Sequence, residues 1–133
     1  PISVRLPGRP HAGKRCLRTV ALIDTFPTLA DYCRLQTPKR QPEGLSLRPL
    51  LENPSARWDH PALTTYGEDL ASVRDERYRY IRYPDGHEEL YDHQTDPHEW
   101  ENLANKRAHN AVKGRLRKAI PTQWAPSLGG RIG

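Results

Sequence analysis

The chain has 133 residues, of which 13 are proline and 35% are hydrophobic, and its mean hydropathy is −0.87. This composition excludes a large apolar core and predicts a loop-rich chain, and no stretch reaches the roughly 18 apolar residues of a membrane span. The net charge is +5, and residues 1–60 hold 10 Lys or Arg against 5 Asp or Glu. That excess is compatible with a polyanion partner and equally with a solvated surface.

The first 36 residues predict one short strand and one helix. Residues 2–6 alternate apolar and polar side chains, which is typical of a strand. Apolar side chains at positions 26, 29, 30 and 33 follow helical spacing and predict a helix over about residues 25–34. Asp24 precedes this helix as a candidate N-cap. Pro27 lies in the first turn, where its missing N–H would have had no intrahelical partner.

A long irregular connection is predicted next. Residues 36–61 contain five prolines among polar residues, a composition that argues against regular structure. The apolar anchors of this segment are the leucines at positions 45, 47, 50 and 51. We therefore expect the connection to cross a surface and to be pinned there at one point.

The second half of the chain predicts a small sheet. Its short segments rich in β-branched and aromatic residues are 62–66, 70–74, 77–83 and 88–92. Turn residues separate them, and the Asp85-Gly86 pair is typical of a tight hairpin turn. The pattern therefore predicts an antiparallel four-stranded meander.

Helical signals follow the last predicted strand. Asp96, Pro97 and Glu99 form the pattern of an N-cap, a first-turn proline and a capping box, which predicts the start of a helix. An apolar stripe over residues 108–120 predicts a helix that Pro121 ends. We expect this helix to pack across one face of the sheet and the residues after it to be extended.

Four motifs occur in an order that resembles the sulfatase family. They are Asp24-Thr25-Phe26-Pro27-Thr28-Leu29, Gly44-Leu45-Ser46-Leu47-Arg48-Pro49-Leu50-Leu51, the segment Val73 to Tyr83, and the closing segment Glu88 to Ala104. The first and the last resemble bacterial iduronate-2-sulfatase-like enzymes. One departure is Arg34, which stands where the family usually has Gly, because Arg adopts a left-handed helix end less readily.

The resemblance implies an α+β chain, the C-terminal portion of an alkaline-phosphatase-like sulfatase fold. Residues 1–60 would be the end of the large α/β domain with a Pro-rich connection. Residues 61–120 would be the small subdomain of a four-stranded antiparallel sheet packed by a C-terminal helix, and residues 121–133 an extended tail. An N-terminal catalytic region would be the partner of this chain, and family members are commonly periplasmic, secreted or lysosomal.

Family chemistry is hydrolysis of a sulfate ester by a formylglycine beside a calcium ion. The formylglycine is made from Cys or Ser in the motif Cys/Ser-x-Pro/Ala-x-Arg, and the surroundings of Cys16 and Cys33 both lack that motif. Neither cysteine is predicted to be the nucleophile, and their pairing stays open. No catalytic residue and no metal ligand is assigned to this chain, which we expect to be inactive alone.

Substrate contact is the functional role that the resemblance leaves to this chain. In the family, the loop that leads into the second small-domain strand approaches the mouth of the pocket. Glu68, Asp69 and Arg74 are therefore the candidate substrate-binding residues, for iduronate-2-sulfate or a related sulfated carbohydrate. The structural alternative is an ordinary solvated loop.

Two other functions are compatible with parts of the sequence. A small basic module without enzymatic activity would bind a polyanion or nucleic acid through the interleaved side chains of Arg77, Tyr78, Arg79, Tyr80, Arg82 and Tyr83. Acidic residues on the adjoining hairpin arm would repel a phosphate backbone, so no nucleic acid is expected. A stand-alone remnant would instead assist a separate catalytic chain. It would expose Phe26, Leu29, Ala30 and the edge of residues 2–6, and would tend to associate.

Overall fold

A computed structural model describes residues 2–6, 8, 13–36 and 43–124. The chain forms two compact units, Pro1–His60 and Pro61–Gly133. The sequence predicted an extended tail after residue 120. Its residues 121–124 carry no helix or strand, and residues 125–133 lie outside the described part.

The first unit contains two helices. A short 3-10 turn, Leu22–Asp24, leads into α1, Thr25–Cys33, and α2 is the five-residue helix Arg48–Glu52. The predicted helix over residues 25–34 is confirmed to within one residue, and its apolar side chain Ala30 is buried rather than exposed. The predicted strand over residues 2–6 is wrong, because a strand requires a hydrogen-bonded neighbour and no described segment pairs with these residues.

The end of α1 has the backbone conformation that Gly favours, although the residue is Arg34. Its φ of 52° and ψ of 39° are left-handed, and the next N–H, that of Leu35, donates to the carbonyl of Ala30 at 2.9 Å. A left-handed residue with a Cβ costs roughly 1 kcal/mol. The departure from the family pattern is therefore accommodated as local strain.

Asp24 joins two distant segments instead of capping α1 with its side chain. Its buried carboxylate accepts the N–H of Ala21 at 2.8 Å and the N–H of Leu45 at 2.9 Å. Thr28, one turn further, accepts the N–H of Leu47 at 2.8 Å and donates to the carbonyl of Asp24. The predicted N-cap role of the side chain is wrong, because these two N–H groups compete successfully for its oxygens.

Gly44 allows its own segment to approach the backbone of Ile23 and Asp24 closely. A Cβ on Gly44 would lie 2.3 Å from the carbonyl oxygen of Ile23, which is backbone and cannot simply rotate away. Beyond this contact, Leu47 and Leu50 are buried, so two of the four predicted leucine anchors are confirmed as core residues. The helix α2 between Arg48 and Glu52 was not predicted, since Pro49 was interpreted as breaking structure although it lies in the first turn.

The second unit is built on an antiparallel sheet in the order β1-β2-β3-β4. The strands are β1 Ala62–Thr65, β2 Ala71–Arg74, β3 Tyr78–Arg82 and β4 Glu88–Asp92. The predicted meander is confirmed. Val73 pairs with Tyr80 and Tyr80 with Leu90, so one row of apolar side chains crosses the sheet. These three side chains have no solvent exposure and form the centre of the core.

The helix α3, Asn110–Arg117, packs against β2 and β3. A 3-10 turn, Arg107–His109, precedes it, and the chain leaves helical structure before Pro121 as predicted. Leu116 and Ile120 bring this element into the core beside the sheet. The predicted α+β class, with a four-stranded antiparallel sheet packed by a C-terminal helix, is confirmed.

The predicted helix start at Asp96 is wrong. Residues 96–102 form turns, and the Asp96 carboxylate accepts the N–H of Glu101 at 2.9 Å. Glu99 has a left-handed φ of 58°, and its carboxylate points to Arg79 and His93 instead of closing a capping box.

The end of the closing segment, residues 102–104, instead covers the free edge of β4. The N–H of Leu103 donates to the carbonyl of Leu90 at 2.8 Å. The Asn102 side chain accepts the Leu90 N–H at 3.1 Å and donates to the carbonyl of Glu88 at 3.1 Å. Edge strands leave such groups unpaired. Pairing with β4 also carries Leu103 and Ala104 into the core, which prevents a helix from beginning at Asp96.

Candidate functional site

The turn between β1 and β2 carries two of the predicted site residues in a fixed conformation. The N–H of Tyr66 donates to the carbonyl of Leu70 at 3.0 Å and closes the turn. Gly67 and Asp69 both have positive φ, 66° and 61°. The Asp69 carboxylate accepts a hydrogen bond from the Arg82 guanidinium at 2.8 Å. The turn is therefore tied to β3 by a charged pair.

An open hollow of about 590 Å³ lies beside this turn. It is lined by Glu68, Asp69, Arg82, Arg117, Ile120, Pro121, Thr122 and Trp124. The Arg82 guanidinium lies 5.9 Å from the ring centroid of Trp124, and Ile120 is buried in the core. Arg117 forms no hydrogen bond or ion pair within residues 2–6, 8, 13–36 and 43–124, although its charge helps to lower the pKa of Glu88. The hollow thus combines apolar surface, two carboxylates and one guanidinium, that of Arg117, without a hydrogen-bonded carboxylate among the described residues.

Two of the three predicted substrate-binding residues meet in this hollow. Glu68 and Asp69 line it, whereas Arg74 lies at the far end of β2, is exposed, and is not part of its lining. Arg117 and Trp124 were missed, because they reach the hollow only through the packing of α3 and of the segment after it. Arg82 is one of the arginines of the polyanion-binding alternative, and no local sequence pattern predicts its pairing with Asp69.

A second charged cluster joins Arg79 on β3 to His93 and Glu99 of the closing segment. Arg79 donates to both carboxylate oxygens of Glu99, at 3.1 and 3.0 Å, and His93 Nε2 lies 2.6 Å from one of them. Partial burial opposes ionisation of Glu99, but the hydrogen bonds from His93 and Arg79 outweigh it and lower the pKa of Glu99. This carboxylate is held ionised between two partners, which suits a structural role.

The arginines proposed for the polyanion-binding alternative are already neutralised by carboxylates. Their acidic partners are Asp92 for Arg77, Glu99 for Arg79 and Asp69 for Arg82. Tyr80, one of the proposed stacking residues, is fully buried. Because a phosphate would have to displace these pairs, the geometry does not support a nucleic-acid interface on β3.

The remaining chemical groups do not assemble into a reactive centre in the described part of the chain. Cys16 and Cys33 are both free and exposed. Within residues 2–6, 8, 13–36 and 43–124, no three His, Cys, Asp or Glu side chains are placed to hold a metal ion. Among the same residues, no helix is long and apolar enough to cross a membrane.

The fold defines the class of protein. Its α+β fold, with a four-stranded antiparallel sheet followed by a helix, is similar to solved structures of alkaline-phosphatase-like hydrolases, which align over 71% of this chain. The chain belongs to the sulfatase family, because residues 1–125 match the family model described as N-sulphoglucosamine sulphohydrolase, C-terminal.

Named relatives agree with this assignment. A protein of Formosa agariphila named Sulfatase is 38% identical over 119 residues, which cover 86% of this chain and 23% of that protein. Delta 4,5-hexuronate-2-O-sulfatase of Bacteroides thetaiotaomicron is 33% identical over 116 residues, covering 78% and 23%. A solved structure in complex with its substrate D-glucosamine-2-N,6-O-disulfate aligns with a TM-score of 0.59 at 28% identity, covering 71% and 22%. The chain therefore spans less than a quarter of each of these proteins.

Proposed function

We propose that this chain is the C-terminal part of a sulfatase that hydrolyses a sulfate ester on a carbohydrate, with a 2-sulfated hexuronate such as iduronate-2-sulfate as the favoured substrate class. The match of residues 1–125 to a sulfatase C-terminal family carries the proposal. The hexuronate-2-O-sulfatase relative supports the choice of sugar, and the glucosamine disulfate complex supports a glycosaminoglycan-type substrate.

The reactive groups belong, in this proposal, to the part of the enzyme that precedes this chain in the family. Neither Cys16 nor Cys33 lies in the motif that is converted to formylglycine, and both are exposed. The described residues do not offer a ligand set that would fit calcium. We therefore assign the nucleophile and the calcium ligands to the N-terminal catalytic region, and no activity to this chain alone.

Glu68, Asp69 and Arg74 contribute selectivity in this proposal. Asp69 is held by Arg82, so the β1–β2 turn presents the neighbouring Glu68 carboxylate from a fixed backbone. Carboxylates accept hydrogen bonds from sugar hydroxyls and repel additional sulfate groups. Arg74 is exposed and forms no hydrogen bond with the described residues, so its guanidinium is available to an anion.

The test is a complete enzyme in which this chain replaces the C-terminal part of the hexuronate-2-O-sulfatase. We expect sulfate release from a 2-sulfated hexuronate, and a changed ratio of kcat/KM between mono- and disulfated sugars in Glu68→Ala and Asp69→Ala. Glu101→Ala is the matched control, because Glu101 is an exposed carboxylate paired with Lys106 outside the hollow. Formylglycine content, measured by mass spectrometry, should be equal in all variants.

Two results would count against the proposal. A correctly folded, formylglycine-containing enzyme that releases no sulfate from any sugar of the panel would contradict the substrate class. Unchanged selectivity in Glu68→Ala and Asp69→Ala, relative to Glu101→Ala, would remove the β1–β2 turn from substrate recognition while leaving the family assignment intact.

A further inference from the structure

We propose that the hollow in the second unit is a subsite for one anionic sugar residue, in which Arg117 binds the sulfate or carboxylate group and Trp124 packs against the ring. The chemical class of this sugar rests on the proposed function. The two residues come from α3 and from the segment after it, so the subsite extends beyond the β1–β2 turn.

The size and lining of the hollow suit a sugar. Its volume of about 590 Å³ lies within the roughly 300–1,000 Å³ that is usual for small-molecule sites. Thr122 and the carboxylates of Glu68 and Asp69 offer hydrogen-bonding groups along its lining. Ile120, which is part of the core, and the Trp124 ring supply apolar surface. This mixture matches the alternating hydroxyl edges and apolar faces of a pyranose.

One cationic side chain in the hollow is open to an anionic group of the sugar. Arg82 is paired with Asp69, so its charge is already neutralised. Arg117 has no hydrogen-bonded carboxylate among the described residues, although its charge also acts on Glu88. A guanidinium binds sulfate or carboxylate oxygens through two parallel N–H groups. The arrangement therefore offers one guanidinium to an anionic group of the sugar.

Trp124 is half-buried and lines the hollow. It packs against the core of the second unit and lies under the Arg82 guanidinium. An indole that is already ordered loses little conformational freedom when a ligand packs against it. Trp100, by contrast, is 85% exposed and lies outside the hollow, which makes it a natural control.

The experiment is calorimetric titration of the full chain with a disaccharide that carries a single sulfate at O2 of its hexuronate. The unsulfated disaccharide and inorganic sulfate are the comparison probes. We expect saturable binding of the sulfated disaccharide, and affinity about tenfold lower in Arg117→Ala and in Trp124→Ala. Lys118→Ala removes the same charge one residue further along the chain, and Trp100→Ala removes an indole elsewhere; both should bind within about twofold of the original chain.

Several outcomes would overturn the subsite. These are absence of saturable binding, equal weakening by Lys118→Ala and Arg117→Ala, and equal affinity for inorganic sulfate and for the sulfated disaccharide. Arg117 is exposed, so its replacement leaves the core intact, and an unfolding curve of each variant separates lost binding from lost structure. Binding without sulfate release in the joined enzyme would contradict only the proposed function. Sulfate release without sugar binding by this chain would contradict only the subsite.

Discussion

In the first unit, buried polar groups and one close backbone contact hold distant segments together, whereas the second unit relies on a row of apolar side chains across a sheet. Asp24 and Thr28 each accept a backbone N–H from the segment that follows Gly44. In the second unit, Val73, Tyr80 and Leu90 are contiguous across three strands. Directional contacts depend on single atoms, while apolar packing depends on volume.

This difference explains the residues of the two motifs that lie in the first unit, at positions 24–29 and 44–51. A close approach at Gly44 tolerates no added atom, and a buried carboxylate at position 24 must meet two particular N–H groups. The sheet of the second unit requires alternation and adequate volume, which many residue combinations provide. The difference between the two units can be tested by a substitution in one unit and a matched control substitution elsewhere.

The largest effect is expected from Leu116→Ala in the second unit. Leu116 is a fully buried residue of α3, so its truncation should lower the free energy of unfolding of this unit by about 2–5 kcal/mol. Hydrogen exchange of the β2 and β3 amides in increasing urea measures that change. The same truncation at Leu17, which is 88% exposed, should change the stability by less than about 0.5 kcal/mol. Equal effects would contradict the assigned core.

Gly44→Ala should have the next largest effect, in the first unit. The added Cβ would overlap the Ile23 carbonyl. The segments that contain Ile23 and Gly44 must therefore move apart, which should lower the free energy of unfolding by about 1–3 kcal/mol. Exchange of the Leu45 and Leu47 amides reports the loss directly, because these N–H groups donate to Asp24 and Thr28.

The control for this glycine is Gly114→Ala in α3. An added Cβ at Gly114 meets no atom within 4 Å, and Ala favours helix, so this substitution should stabilise the second unit by about 0.5–1 kcal/mol. A stabilising or neutral Gly44→Ala would show that the segments do not approach as closely as the structure indicates.

The pH dependence of the second unit should contain a contribution from Asp92. Two hydrogen bonds from Arg77 lower the pKa of this buried carboxyl, and burial opposes them only in part. A lowered pKa in the folded state means that the stabilisation is fully present above the ordinary Asp pKa of about 3.9 and is lost as the pH falls through the lower folded value. Asp92→Asn should therefore lose about 1–2 kcal/mol at neutral pH and progressively less as the pH falls below about 3.9.

Urea unfolding at neutral pH and in acid measures this dependence. Asp85→Asn is the control, because Asp85 is exposed and pairs with an exposed His87. Its effect should stay within about 0.5 kcal/mol at every pH. A pH-independent loss in Asp92→Asn would indicate that packing, rather than the charged pair with Arg77, explains the role of Asp92.

The smallest effect is expected at the end of α1. Arg34→Gly places the residue best suited to a left-handed φ of 52° at this position and should stabilise the first unit by roughly 0.5–1 kcal/mol. Lys118, the corresponding residue after α3, has a right-handed φ of −65°. Lys118→Gly should therefore destabilise the second unit, and the opposite signs can be read from two urea unfolding curves.

The predictable parts of the fold are those with local signals. Turn residues such as Gly67 and Gly86 separate β-rich segments, and helical spacing marks α1, so these elements follow from the sequence. The capping pattern at Asp96 failed, because pairing of Asn102 and Leu103 with the β4 edge has a larger effect than local helix propensity.

The candidate site was predictable only in part. Glu68 and Asp69 follow from the position of their turn in the resembling family, and the structure places both in one hollow. Arg117 and Trp124 are distant in sequence from that turn and reach it through the packing of α3. The approach of these residues to the turn depends on tertiary packing, which residue spacing in the sequence does not predict. The role of all these residues in substrate binding stays a prediction.

The most direct test of the account is an assay of sulfate release by the purified 133-residue chain, alone and as part of the joined enzyme. The account predicts no turnover by the chain alone and turnover of a 2-sulfated hexuronate once the formylglycine-bearing catalytic region is present. Ester hydrolysis by the chain alone, in preparations free of any second protein, would contradict it.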